Sequence, residues 1–511
     1  MNRYLRLSIS SLLIATCTYA QTPDDALRSA WFIPGGSARN IATGGVMGSL
    51  GGDITANNVN PAGIGLYKTR EFVISPGFLF NSNKAVYRDS SSSKSKNAFA
   101  YGPIGFVFGR PHGRDSKWTS SAFSVSVSQL ASYNNHVSYS GFNNMSSFSE
   151  QYIEELVRDN ASEDAANGNY INGASLAYRT YLIDTFHNAG GDFIGYQSLV
   201  PISTGVYQQY SADTKGGYHE IALAFAGNMA DKLYLGGGVN IPVISYTRDV
   251  YYKETDATNN PSNNFSYFEY TEHFKSSGIG LNGKLGLIYK PKEFIRLGVA
   301  VHTPSIISFK DELRSTITTN TEAFAGLKTE SSDNLNSGNP VTRDYYQLTP
   351  WRAIISGSYV FREVENTHNQ RAFLSADIEY VNYRGSRYYT NNSDDQGAKD
   401  YYKQANEAIK SYLKSAFNFR LGGELKFDPW MFRLGLAYYG SPYKDKELKA
   451  NRIMTSGGIG YRNHGMFIDL TYAYTMNKDV NFPYRLNDVP NTFATTKNNR
   501  GNLLLTVGFK I

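Results

Sequence analysis

The stretch Phe417–Tyr438, FNFRLGGELKFDPWMFRLGLAY, decides the fold. Phe417, Phe419, Leu421, Gly423, Leu425 and Phe427 fall on one face of an extended chain, and Asn418, Arg420, Gly422, Glu424 and Lys426 on the other. After Asp428-Pro429 the pattern restarts, with Phe432, Leu434, Leu436 and Tyr438 opposing Met431, Arg433, Gly435 and Ala437. Successive side chains of a strand point to opposite sides, so these are two strands joined by a tight turn. One face is strongly apolar and the other carries whole charges. That combination suits a wall with lipid outside and a polar lumen inside.

The same unit recurs along the chain. Candidate strands lie near 70–80, 98–109, 120–133, 217–228, 232–248, 268–289, 294–303, 350–361, 371–383, 415–427, 430–440, 452–462, 466–476 and 502–511. Counted together they are fourteen, and an even number is expected of a bacterial outer-membrane barrel. Links alternate between short (228–231, 290–293, 428–429) and long (134–216, 304–349, 384–414, 477–501). Short periplasmic turns and long external loops have this order. Tyr246, Trp351, Tyr383, Tyr388, Trp430 and Tyr474 stand near run ends, where interfacial aromatic girdles are expected. Two loop segments read as helices, one after Ser149 with Tyr152, Ile153, Leu156 and Val157 on one face, the other with Tyr401, Ala405, Ala408, Ile409, Tyr412 and Leu413. Their expected role is to pack the loops together.

The bulk numbers agree. The chain has 511 residues, 39 of them Tyr and 29 Phe, and a mean hydropathy of -0.40. No run is long and apolar enough for a membrane helix. Arg3 and Arg6, the apolar stretch Leu7–Ala15 and Thr18-Tyr19-Ala20 read as a signal peptide over 1–20. A lipoprotein signal ending at Cys17 is the rival. Loss of the leader removes the only cysteine and lowers the formal charge from +6 to +4 by removing Arg3 and Arg6. A balanced charge argues against nucleic acid as a partner, and nothing in the pattern asks for a metal or another cofactor.

Residues 21–69 do not alternate. They are rich in glycine, including Gly51 and Gly52, and end in Asn60-Pro61-Ala62. Too few apolar residues are present for an independent core, but a barrel wall could supply the contacts. The segment is read as a hatch inside the barrel, with 70–511 forming the wall, and Asn60, Pro61 and Ala62 as the joint between them. Pro61 restricts both itself and Asn60.

These residues carry a family resemblance. Ala26-Leu27-Arg28, Gly36-Ser37-Ala38-Arg39, Gly44-Gly45, Gly51-Gly52-Asp53 and Asn60-Pro61-Ala62-Gly63-Ile64-Gly65 resemble the start of FadL-type hydrophobic-compound transporters, in particular their Bacteroidetes-like branch. Ile295–Phe309 (IRLGVAVHTPSIISF), Phe432–Pro442 (FRLGLAYYGSP) and Gly457–Tyr474 (GGIGYRNHGMFIDLTYAY) resemble later strands of that family, whereas the loops 142–216 and 312–347 do not. The resemblance implies an all-β transmembrane antiparallel barrel of fourteen strands with an N-terminal hatch, in the outer membrane of a Gram-negative bacterium. It implies uptake of long-chain fatty acids or similar molecules through a lumen pocket and a lateral opening at a kink in the third strand. In that strand Phe123, Val125 and Val127 share one phase and Leu130 falls in the other. One extra residue there would be a bulge, which bends a strand, so Ser128, Gln129 and Leu130 are the candidate lateral gate.

The expected lumen-facing set is Arg296, His302, Asp377, Glu379, Arg420, Glu424, Arg433 and Asp469. These charges are expected to pair into a network below the pocket. No serine motif accompanies His302, so no enzyme is expected. The partners expected are a hydrophobic small molecule and outer-membrane lipid, with the chain a monomer. A scaffold that holds partner proteins through its external loops is the alternative, and an open polar porin a third reading that the hatch disfavours.

Overall fold

The computed structural model describes residues 23–113, 115–361, 371–392, 394–445, 448 and 450–511. The expected leader and Cys17 lie outside the described residues. The chain forms a closed antiparallel barrel of 14 strands. They are β1 (Arg70–Ile74 and Pro76–Tyr87), β2 (Ser90–Tyr101 and Ile104–Pro111), β3 (Trp118–Ser132 and Asn135–Asn143), β4 (Val206–Met229), β5 (Leu233–Asp256) and β6 (Tyr267–Lys292). Next come β7 (Ile295–His302 and Ile306–Asn320), β8 (Val341–Leu348 and Arg352–Phe361), β9 (Ala372–Val381) and β10 (Ala416–Phe427). The last are β11 (Trp430–Tyr439), β12 (Arg452–Asn463), β13 (Met466–Asn481) and β14 (Ala494–Lys510). Each strand pairs with the next, and β14 closes the ring on β1, with Phe72 opposite Phe509 and Gly77 opposite Leu504.

The alternation read from sequence separates outside from inside. On β10, Phe417, Phe419 and Leu421 are exposed on the outer face while Asn418, Arg420 and Glu424 are buried. Closure through β14 and β1 pairs the first and last strands with each other, as a membrane-spanning sheet requires. The structure carries the signature of an outer-membrane barrel, and no described helix is long and apolar enough to cross a membrane.

Several strands run well beyond the segments expected from sequence. The whole of β4 begins at Val206, and β5 reaches Asp256 before turning into β6 at Tyr267. These extensions carry Lys, Glu, Asp and Tyr on both faces, as in Arg248–Asp256. With no lipid on one side, the apolar-polar alternation disappears although the hydrogen-bond ladder continues.

A crown closes the outer end. Phe148, Tyr152, Leu156, Tyr252, Phe268 and Tyr484 share its buried core. The helix Glu150–Arg158 contributes Tyr152 and Leu156 to it, but Ser149 does not cap that helix through its side chain. Its hydroxyl bonds Ser147 (2.8 Å) and Ser198 (2.7 Å) instead. The second expected helix is Gln396–Tyr412, and its Tyr402, Ala405 and Ile409 pack in one core with Leu27 and Trp31 of the hatch. Tyr383 and Tyr388 lie in that same core and are buried, and Tyr246 lines the lumen, so these three are not girdle residues. Trp351 and Trp430 do lie exposed on the outside. Tyrosine suits a bilayer interface and a buried crown equally well, which is why position along a run does not separate them.

Residues 23–69 form short helices (Pro23–Arg28, Ala38–Ala42, Ala56–Val59) and a 3-10 helix (Pro61–Leu66) inside the ring. They are mostly buried despite their small, polar composition. Inward-facing glycines of the wall create the necessary room. A Cβ on Gly422 would come within 2.0 Å of Thr43 O, and one on Gly298 within 2.0 Å of Gly48 O.

Candidate functional site

The joint sits hard against the wall. Asn60 is fully buried, donating from Nδ2 to Gly48 O (2.6 Å) and accepting at Oδ1 from Ala62 N (3.1 Å). Pro61 opens the 3-10 helix, where its missing N–H costs nothing. Space for the joint comes from the wall: a Cβ on Gly286 would lie 1.8 Å from Asn60 Oδ1, and one on Gly236 would lie 2.4 Å from Ala62 N. Gly51 and Gly52 both take positive φ (60° and 66°), a turn that suits glycine. Gly52 N donates to Gly63 O at 3.1 Å, tying the turn to the joint.

The expected lumen charges all point inward and all are buried. Glu379 receives Arg420 and Asn418 Nδ2 (2.9 Å), with Arg352 at 3.7 Å. Arg433 is held by Glu424 (2.6 Å) and Asp469 (2.6 Å), and Glu424 also meets Arg39 of the hatch at 3.3 Å. Asp377 accepts from Met47 N (3.0 Å), Gly48 N (3.1 Å) and Ser356 Oγ (2.6 Å). His302 donates from Nε2 to Val59 O at 2.8 Å, and Arg296 donates to Leu50 O at 2.9 Å. Asp377, His302, Arg296 and Glu424 bind the hatch to the wall, while Glu379–Arg420 and Arg433–Asp469 join wall strands to each other. A buried charge that loses its partner is costly, so the hatch is fixed by interactions it cannot leave cheaply.

The wall is broken at one height. The lower piece of β2 pairs with β3 from Pro111–Ser120 to Ile104–Val127, but the upper piece Ser90–Tyr101 pairs with β1 and has no ladder to β3 among the described residues. On its other side β3 shifts register against β4: Gln129 faces His219 and Ala131 faces Tyr218, leaving Leu130 as the extra residue. A bulge of this kind bends the strand and ends regular pairing. Side chains span the break instead. Tyr101 N donates to Gln129 Oε1 (3.3 Å), Asn83 Nδ2 to Asn135 Oδ1 (2.6 Å), and Lys96 reaches past β3 to Asp213 of β4 (2.6 Å).

The hatch enters this break. Gly35 N donates to Leu130 O at 3.0 Å. A Cβ on Gly35 would meet Gln129 O at 2.3 Å, and one on Gly102 would meet Gly36 O at 2.3 Å. Strip 34–36 is therefore seated between the two strands, at a distance that only glycine tolerates. Sequence reading placed this strip in the glycine-rich hatch but had no register with which to seat it.

A cavity of about 510 Å³ reaches the same place. It runs past Tyr101, Gly102, Gln129 and Leu130 at the break, a size suited to a small-molecule ligand. Leu27, Phe32, Leu79 and Met454 are apolar parts of its lining. Its polar side chains include Arg452, Asn477, Asn498, Arg500 and Asn502, with Asn502 directly across the ladder from Leu79. A smaller polar chamber of about 70 Å³ lies beyond Phe32, Pro34, Gly35 and Leu130, which line both spaces. Lys284 is paired with Glu220 there, beside Glu379 and Arg420. These polar residues lie outside the expected set. Carrying the inward phase Leu504–Thr506–Gly508 back by two residues at a time would have reached Asn502, Arg500 and Asn498.

Comparison with solved structures fits this geometry. The P. putida toluene transporter TodX matches 94% of this chain and 99% of its own, at 12% identity and a TM-score of 0.52. A Pseudomonas aeruginosa FadL homologue matches 93% and 98%, at 14% identity and 0.53. The fold is FadL-like. The Ralstonia pickettii toluene transporter TbuX agrees, over 94% and 100% of the two chains at 15% identity and 0.51. No protein-family model and no curated protein matches the sequence. At these identities the FadL-like architecture is shared while side chains in the lumen are this chain's own.

Proposed function

We propose that this protein is a monomeric transporter that carries hydrophobic small molecules, long-chain fatty acids or compounds of similar shape, inward across the outer membrane. Ligand occupies the cavity of about 510 Å³ and leaves sideways into the bilayer between β2 and β3. Ser128, Gln129 and Leu130 form one lip of that exit, Tyr101 and Gly102 the other, and Gly35-Gly36 the stop between them. The observation that carries the reading is that the cavity and the break in the ladder coincide at Gln129–Leu130. The hatch, tied down at Asn60, Pro61 and Ala62, by Arg39 on Glu424 and by Asp377 on Met47 N and Gly48 N, supports a sideways exit over a straight one. That solved neighbours of this fold are a toluene transporter from P. putida and one from Ralstonia pickettii supports the hydrophobic class.

The test uses Tyr101→Cys with Gln129→Cys in the mature chain, bridged by a short bis-maleimide. Bridged barrels should lose uptake of radiolabelled oleate in cells, while each single cysteine treated alike keeps it. Full uptake through the bridged barrel would contradict a lateral exit. A second reading, a barrel that holds a partner protein, draws on Phe186, Phe193 and Ile194, which stand exposed on a crown hairpin. Removal of 183–198 should then abolish capture of that partner and leave oleate uptake intact.

A further inference from the structure

We propose that the outside of the barrel, at β13, β14 and β1, holds a phosphorylated glycolipid of the outer leaflet, with its phosphates on Lys84, Lys478 and Lys497. The proposal is independent of the transport reading, because these side chains point away from the lumen.

The ladder sets the three lysines side by side. Lys478 on β13 faces Lys497 on β14, and Lys497 faces Lys84 on β1. Residues directly opposite share a face of the sheet. All three are exposed, while Asn83, Ala85 and Thr496 next to them in the chain are buried. Like charges in such a row repel, and none of the three has an ion pair among the described residues. Elsewhere on the wall the repulsion is relieved. Lys215 of β4 has Asp213 at 3.5 Å, and Lys275 of β6 and Lys310 of β7 share Glu312 at 3.8 and 3.7 Å. Around the lysine row no acid is offered. Glu71 of β1 and Asp469 of β13 are buried, and Asp479 of β13 lines the cavity.

Height decides what the row meets. Below it the same face turns apolar, first with Phe80 and Tyr474 on either side of Gly501, then with Phe78, Leu503 and Tyr472 in one row. Lys84 lies beyond Phe80 by about 13 Å along the strand, or about 10 Å outward for a strand tilted by about 40°. That is where the headgroups of the outer leaflet begin. A cationic row standing over an acyl-facing band calls for an acylated anion. Neighbouring strands lie about 4.8 Å apart, so the three lysines span about 10 Å, more than a single phosphate covers. A sugar head with two phosphates spans the row. Its hydroxyls meet Ser82, Ser93 and Ser95, which share this face: Ser93 is opposite Lys84, and Ser82 is opposite Ser95.

The experiment is native mass spectrometry of the full barrel released from detergent micelles, with one lipid added at a time: bis-phosphorylated lipid A, the same lipid A stripped of its phosphates, and phosphatidylglycerol. One copy of the bis-phosphorylated form should be retained at about a hundredfold lower concentration than the stripped form, at about fivefold for each lysine. Phosphatidylglycerol should fall between them, and excess inorganic phosphate should leave the lipid bound. Lys84→Gln with Lys478→Gln and Lys497→Gln should retain the two lipid A forms alike. The same change of charge at the paired lysines, Lys215→Gln with Lys275→Gln and Lys310→Gln, should keep the discrimination. If the first variant lacks the heat-modifiable gel shift of a folded barrel, Lys497→Gln alone, in the middle of the row, should weaken the bis-phosphorylated form by about fivefold. The proposal is overturned if the unchanged barrel retains both lipid A forms equally, if discrimination survives loss of the row, or if the two triple variants behave alike. Displacement by inorganic phosphate, or phosphatidylglycerol held as tightly as lipid A, would overturn the glycolipid head.

Discussion

The lower lumen and the upper cavity are built from similar residues and treat them in opposite ways. Below, Arg420, Arg433, Glu379, Glu424 and Asp469 are paired and buried strand to strand within the wall, and Glu424 also meets Arg39 of the hatch. Above, Arg452 and Arg500 form no ion pair among the described residues; Arg452 bonds Trp31 O and Arg500 bonds Asn81, with Asp479 lining the same cavity. The difference separates charge closed into ion pairs from charge held by neutral partners alone. A pair closed within the fold locks neighbouring wall strands, whereas Arg452 and Arg500 rest on a backbone carbonyl and a carboxamide.

The comparison can be broken most sharply at its base. Arg433→Leu leaves Glu424 and Asp469 buried beside it, with Glu424 keeping only Arg39, and should cost about 3–5 kcal/mol of folding stability. Urea titration of barrels refolded in liposomes measures it, and a neutral result would mean that the lower charges are not structural. Next, filling the wall where the joint lies, by Gly236→Leu, should displace Ala62 and loosen the hatch. Increased entry of vancomycin into cells would show this, and a tight barrel would show that the joint can be relocated. Arg500→Leu should change stability by no more than about 1 kcal/mol, since no ion pair is broken; a larger loss in the same urea titration would make it structural after all. Smallest of all, Lys96→Met removes a partly exposed pair with Asp213 across the break and should cost under about 1 kcal/mol, measured the same way.

Much of this was legible in the sequence, for a physical reason. Lipid on one side and lumen on the other impose period two, so all fourteen strands, the short turns and the inward phase of Arg420, Glu424, Arg433 and Asp469 could be read directly. The phase slip at Leu130 showed as well, because a single extra residue reverses alternation. Where water bathes both faces the pattern stops, so the upper parts of β4, β5 and β7 read as loop. Tyr383 and Tyr388 were misplaced because tyrosine suits crown and membrane girdle alike. The open state of Arg452 and Arg500 depends on which acids lie across the strands, and the seat of Gly35-Gly36 depends on a wall register that local sequence does not carry.

The most direct test of the lateral-exit account is photoaffinity labelling of the full barrel in nanodiscs with a diazirine placed at the tail end of a dodecanoyl probe. The account predicts adducts on the cavity side of the break, at Leu130, Tyr133 and Tyr101, lost under excess unlabelled probe. Adducts confined to the outer apolar band or to the crown, and indifferent to that competition, would contradict it.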